Sequence, residues 1–244
     1  MMSTAVLVLA ALAAGTASFV REVDPPASAL AHSPAEAMRA QQTWSLAGDI
    51  PSPEAALSVI LRAHPELVPE NGSPYRYEAR TVIAVENRVV LIAAAEAGPA
   101  LPTVTGSVGV FYLRSTMTDP EGISIWPSLT IGAPMGRAPE FRVAEEFGRW
   151  PVLIVGTRNL RAGIACELTQ LVELRPTGPV ASVPFASAYD ARGAQGPSGR
   201  SWVGRMRDVV PDGGFLLTTG AGDVRFVRAD GRYVPAPGFA APSC

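Results

Sequence analysis

From residue 75 onward the chain alternates short segments rich in Val, Ile, Tyr and Phe with clusters of Gly, Pro, Asn and Asp. This punctuation constrains the fold more than any other feature. β-branched and aromatic residues suit a pleated, half-buried surface. Turn residues recurring at short intervals leave no room for long helices. Segments 75–85 and 88–95 flank Glu86-Asn87, a hairpin spacing. Segments 107–115 and 123–131 follow, and Pro127, which lacks an N–H, confines the second to an edge or a bulge. Segment 150–155 is almost continuously apolar, as a strand covered on both faces requires. Segments 165–174 and 180–185 flank the turn-rich Arg175-Pro176-Thr177-Gly178-Pro179. Residues 189–200 read as a Gly-rich loop and 202–210 as one strand. Pro211-Asp212-Gly213-Gly214 and Ala229-Asp230-Gly231 then separate 215–219, 223–228 and 232–234.

About ten short strands with regular turns predict a mainly β fold, an antiparallel β-sandwich or barrel-like domain. Fewer than three four-stranded blades would fit, too few for a propeller. Two helices are predicted ahead of the strands. Ser33-Pro34-Ala35-Glu36 combines an N-cap Ser, Pro at the first helical position and a Glu reaching back, and the helix runs to about Leu46. Ser52-Pro53-Glu54 starts the second, whose Leu57, Ile60 and Leu61 share one face. The alternative architecture is an α+β domain in which these helices cover a sheet.

The apolar run at residues 5–14 has the length of a signal-peptide core, and Gly15 and Ala17 suit cleavage before Ser18, although no basic side chain precedes the run. The expected organisation is a signal peptide at 1–17, a Pro-containing linker at 18–32, a helical segment at 33–72 and a β-rich domain at 73–244. Periplasmic or secreted location follows, with no stable transmembrane span after cleavage. In an oxidising compartment the only two cysteines, Cys166 and Cys244, are expected to form one disulfide.

Charge and residue chemistry mostly exclude. The formal net charge is −2, so a general nucleic-acid binder is not expected, since phosphate neutralisation needs clustered cations. Residues 21–70 carry three Arg against seven acids, and residues 200–232 carry six Arg against four Asp; both read as solvated surface. All 20 basic residues are Arg, which removes Schiff-base, P-loop and Ser–Lys chemistry. His32 falls in the linker and His64 at a helix end, where a cation suits the dipole. No G-x-S-x-G motif occurs; Gly199–Gly204 is one residue too long. His64-Pro65-Glu66 lacks the cysteine half of a deaminase zinc motif, and no calcium-loop spacing is present, so no metal or other cofactor is expected. Glu145 and Glu146, adjacent on a strand, would face opposite ways, and only a long-range carboxylate pair such as Glu96 with Glu167 would suit hydrolysis.

The candidate binding residues are Arg158 and Arg161, in a loop after the apolar 150–155 segment, and Asp190 and Arg192 in the Gly-rich loop. The expected function is that of a noncatalytic envelope β-domain binding an unspecified ligand or an envelope protein. A cofactor-free envelope hydrolase using carboxylates is the second reading, and a structural subunit of an envelope complex the third.

Overall fold

The computed structural model describes residues 50–114 and 122–244. The apolar run, the linker and the 33–46 helix lie outside the described residues.

The described chain is mostly β and antiparallel, built as three sheets taken in chain order. The first contains β1 (Tyr75–Val85), β2 (Arg88–Ala97), β3 (Thr105–Arg114) and β4 (Ser124–Trp126) as a meander, with β5 (Ala133–Pro134) also on β3. The second contains β6 (Glu140–Ala144), β7 (Val152–Arg161), β8 (Ile164–Arg175), β9 (Gly178–Ala181), β10 (Phe185–Asp190) and β11 (Ser201–Val203). Its order is β11-β10-β8-β7-β6, with β9 pairing β8. The third is the meander β12 (Arg205–Val210), β13 (Gly214–Thr219), β14 (Gly222–Ala229) and β15 (Arg232–Pro235). Adjacent hairpins pair because the turns between them are short, so each sheet is assembled from local contacts.

The sheets stack in sandwich fashion, and the two-residue period of the strands shows how. On β2, Val90 and Ile92 meet Leu153, Val155, Val172 and Leu174 of the second sheet. The alternate residues Val89, Leu91, Ala93 and Ala95 face the helix Pro53–Ala63. On β7, Val152 and Ile154 pack instead against Phe215, Leu217, Phe226 and Tyr233 of the third sheet. The order is therefore helix, first sheet, second sheet, third sheet. The middle of β7 is apolar without alternation because both its faces are covered. The helix covering the first sheet realises one element of the α+β alternative inside a sandwich.

The Pro53–Ala63 helix begins as its sequence predicts: Ser52 Oγ accepts from the Ala55 N–H at 3.2 Å and Pro53 occupies the first turn. Its most buried residues are Ala56 and Ile60, while Leu57 and Leu61 are half-buried. His64 caps the C-terminus, with Nδ1 2.9 Å from Glu66.

Several boundaries differ from the sequence reading, for local reasons. Segment 123–131 is a strand only at Ser124–Trp126, on an edge; Pro127 then ends the pairing, and its carbonyl accepts from the Tyr77 hydroxyl at 3.0 Å. Segment 202–210 is two strands, not one. At Gly204 the chain leaves the second sheet and enters the third, with its N–H on Ser187 O at 2.6 Å, where an added Cβ would lie 2.9 Å from that same oxygen. Residues 189–200 are only partly loop: Tyr189 and Asp190 finish β10, and Arg192–Gln195 forms one helical turn. β5 and β6 were not foreseen, β6 because Glu140–Ala144 carries two charges in five residues. β6 ends at Ala144, so Glu145 and Glu146 follow the strand, and Glu146 folds back toward Arg142 at 3.5 Å.

Cys166 and Cys244 form the expected disulfide, with Cα atoms 5.9 Å apart. The tail leading to Cys244 is also held by its backbone, Ala186 N–H donating to Pro242 O at 2.7 Å. Among the described residues, no helix is long and apolar enough to cross a membrane.

Candidate functional site

Part of the face that the second sheet turns toward the third carries polar groups in place of apolar ones. Along β8, Leu171 faces the third sheet, so Thr169 and Glu167, two and four residues earlier, share that face. On β7 the partners of Thr169 and Glu167 are Gly156 and Arg158. On β6, Glu140 stands opposite Gly156. On β10 a register shift between Ala186 and Ala188 turns Ser187 onto the same group. The row therefore runs Glu140, Gly156, Thr169, with Arg158 and Glu167 one step farther out.

Three of these side chains form a hydrogen-bonded chain. Thr169, fully buried, donates to Ser187 Oγ at 2.8 Å. The Ser187 hydroxyl, itself buried, turns its proton toward Glu167, with Oε1 at 3.3 Å and the backbone oxygen at 3.4 Å. Burial raises the Glu167 carboxyl above its ordinary range; the Ser187 hydrogen bond and the nearby Arg158 charge oppose the rise, and the Glu140 charge adds to it. Gly156 leaves a bare floor beside this carboxylate, since a Cβ there would meet nothing nearer than Glu167 Oε1 at 3.8 Å. A glycine inside a strand marks a place where a ligand can approach the backbone.

A raised carboxyl pKa has a consequence for stability. The folded protein holds the Glu167 proton to a higher pH than the unfolded chain does. As pH rises from the ordinary glutamate value through the raised one, the unfolded state ionises first and stability falls. Glu167→Gln is expected to flatten this decline, and urea unfolding of both proteins across the weakly acidic range will measure it. Parallel pH curves would show that Glu167 ionises freely.

The four residues singled out from sequence are only partly united. Arg158 lies on β7 opposite Glu167 rather than in a loop, and its charge also acts on Asp190. Asp190 and Arg192 bind each other, Oδ2 to the guanidinium at 2.6 Å and Oδ1 to Nε at 2.9 Å, while the Arg192 N–H adds a third bond at 3.0 Å. These bonds hold the Asp190 carboxyl at a pKa of about 2. Arg161 ends β7 at the hairpin through Ala162 and Gly163, opposite Ile164 and beyond the hydroxyl–carboxylate chain. Between Arg158 and Arg161 stands Leu160, 75% exposed.

Glu96 and Glu167 do not form the carboxylate pair considered from sequence. Glu96 pairs with Arg76 at 3.4 Å on the first sheet, whereas Glu167 lies on the face of the second sheet turned away from it. Glu140 is the carboxylate whose charge reaches Glu167. Sequence reasoning missed Glu140, Gly156, Thr169 and Ser187. The signal available was a glycine directly after an apolar run and polar residues at alternate positions of an otherwise apolar strand.

An open groove of about 580 Å³ lies elsewhere, between the Pro53–Ala63 helix and β1, lined by Leu57, Leu61, Tyr77 and charged residues at its rim. Its side chains make no convergent polar arrangement, so the Glu167 group remains the better candidate. Among the described residues, no cluster of His, Cys, Asp and Glu has the makings of a metal site.

Fold and site together define a multilayer antiparallel β protein with one disulfide and a polar patch on its central sheet. Scans against protein-family models, curated proteins and solved structures returned no match.

Proposed function

We propose that this is an exported, noncatalytic β-domain that binds a small polar ligand at the Gly156, Arg158 and Glu167 end of its second sheet. The observation that carries the reading is the Thr169–Ser187–Glu167 chain beside the bare floor at Gly156. It offers a half-buried acceptor at Glu167 and a cationic donor at Arg158, positioned on strands rather than loops. Rigid strands hold such groups with little ordering cost on binding. The apolar run at 5–14 and the Cys166–Cys244 bridge support a periplasmic or secreted setting, where disulfides persist.

One observation favours the hydrolase reading. Glu167 has a raised pKa and a second carboxylate, Glu140, close enough to influence it; such pairs serve as acid and base in glycoside hydrolysis. One experiment separates the two. A thermal-shift screen of saccharides, amino acids and short peptides is expected to find a stabilising ligand whose affinity falls about tenfold in Arg158→Ser and in Glu167→Gln. The same proteins are then assayed on chromogenic glycosides and esters. Turnover by the unmodified protein that Glu167→Gln abolishes would make it an enzyme.

A further inference from the structure

The third sheet has a second face, turned away from the core. Met206, Phe215, Leu217, Val224, Phe226 and Tyr233 point inward, so the residues between them point outward. Strand register places Arg207, Leu216 and Arg225 directly opposite one another across β12, β13 and β14. Arg205 lies two residues from Arg207 on the same face, opposite Thr218. Arg207 and Arg225 are two strand spacings apart, about 10 Å. Arg205, Arg207 and Arg225 are all exposed. None of the three joins an ion pair among the described residues, whereas Arg228, which points inward from the same sheet, is held by Glu173. Asp223, opposite Thr218, is the one carboxylate that the paired register places on this face.

We propose that this face docks a linear acidic polysaccharide, independently of the Glu167 site. A guanidinium is a planar fork of donors matched to a carboxylate, and one left without a protein partner is free to take an external one. The row across three strands presents forks at intervals, with Leu216 as an aliphatic floor between them, which suits a polymer carrying regularly spaced anionic groups. Two other anionic partners fit less well. Leu216, Val227 and Val234 are half-buried in the sheet and Val210 is the exposed apolar side chain of this face; one valine offers little area to enter a bilayer, and charge alone anchors weakly to membranes. No aromatic residue lies on the outward register of these strands, so nucleic-acid bases have no stacking platform.

The test uses the full chain and polygalacturonate as probe, with binding followed by calorimetry. At low salt the protein is expected to bind polygalacturonate and not neutral dextran. Affinity should fall about tenfold or more on raising the salt, through counterion release. Arg207→Ser with Arg225→Ser should cost a similar factor while leaving the thermal midpoint unchanged. Arg76→Ser with Arg80→Ser removes the same charge from the first sheet and, compared at about 0.15 M salt, where the Debye length is about 8 Å, should leave affinity within about twofold. The proposal is overturned if the intact chain does not bind, or if both double variants lose affinity equally. Tighter binding to phosphatidylglycerol vesicles or to single-stranded DNA than to polygalacturonate would also overturn it.

Discussion

Replacing Arg228 by alanine is expected to destabilise the protein by about 3–5 kcal/mol, the cost of stranding a buried charge. Glu173 lies on β8, two residues beyond Leu171 on the face toward the third sheet, and is only 3% exposed. Arg228 reaches it from β14 with two bonds, Nε to Oε2 at 2.9 Å and a terminal nitrogen to Oε1 at 2.7 Å. Arg175 adds a third at 2.7 Å, but its other end is committed to Gly231 O at 2.8 Å. The ion pair therefore ties the second sheet to the third across their shared apolar core. Urea unfolding at neutral pH will give the loss. Glu173→Leu combined with Arg228→Leu should recover more than half of it, because the double change removes the charge that must be desolvated. A single-variant loss below about 1 kcal/mol would mean that Arg175 alone satisfies Glu173 and that the contact between sheets rests on its aromatic residues.

Removing the Cys166–Cys244 bridge is expected to cost about 4 kcal/mol, from the chain-entropy value for a loop of this length. The two cysteines are 78 residues apart in sequence, so the bridge restrains a long stretch of the unfolded chain. In the folded protein it brings the tail that follows β15 back to β8, passing from the third sheet to the second. Cys166→Ser with Cys244→Ser should lower the urea midpoint and should also open the Ala186 amide, bonded to Pro242 O, to hydrogen exchange. Retained stability together with a protected Ala186 amide would place the hold on the tail in its backbone and apolar contacts. Mass spectrometry without reductant checks the premise directly, since both thiols must resist alkylation.

Much of the fold was legible because it is local. The Glu86-Asn87 hairpin, the Asp212-Gly213 and Asp230-Gly231 turns, and the Ser52-Pro53 helix start depend on neighbours within a few residues, and each stands where its sequence places it. The continuous apolar stretch through Leu153 and Val155 foretold a strand covered on both sides. The division at Gly204 was not legible, because leaving one sheet for another depends on what the Gly204 N–H finds, and that partner, Ser187, is seventeen residues earlier.

The candidate sites divide in the same way. Sequence pointed to Arg158 in a loop after an apolar segment and to Asp190 in a Gly-rich loop, and the fold brings them close enough for the Arg158 charge to act on Asp190. It did not bring Glu167 to Ser187, because that contact needs the register shift between Ala186 and Ala188. Nor did it align Arg207 with Arg225, which share one row only through the pairing of β12 and β14 with β13 between them. The sequence by itself determined that this chain makes short antiparallel strands and that it has two cysteines and no lysine to work with. Which side chains stand together was decided by tertiary structure alone, because a strand's period assigns each residue a face but only pairing and stacking decide what that face meets.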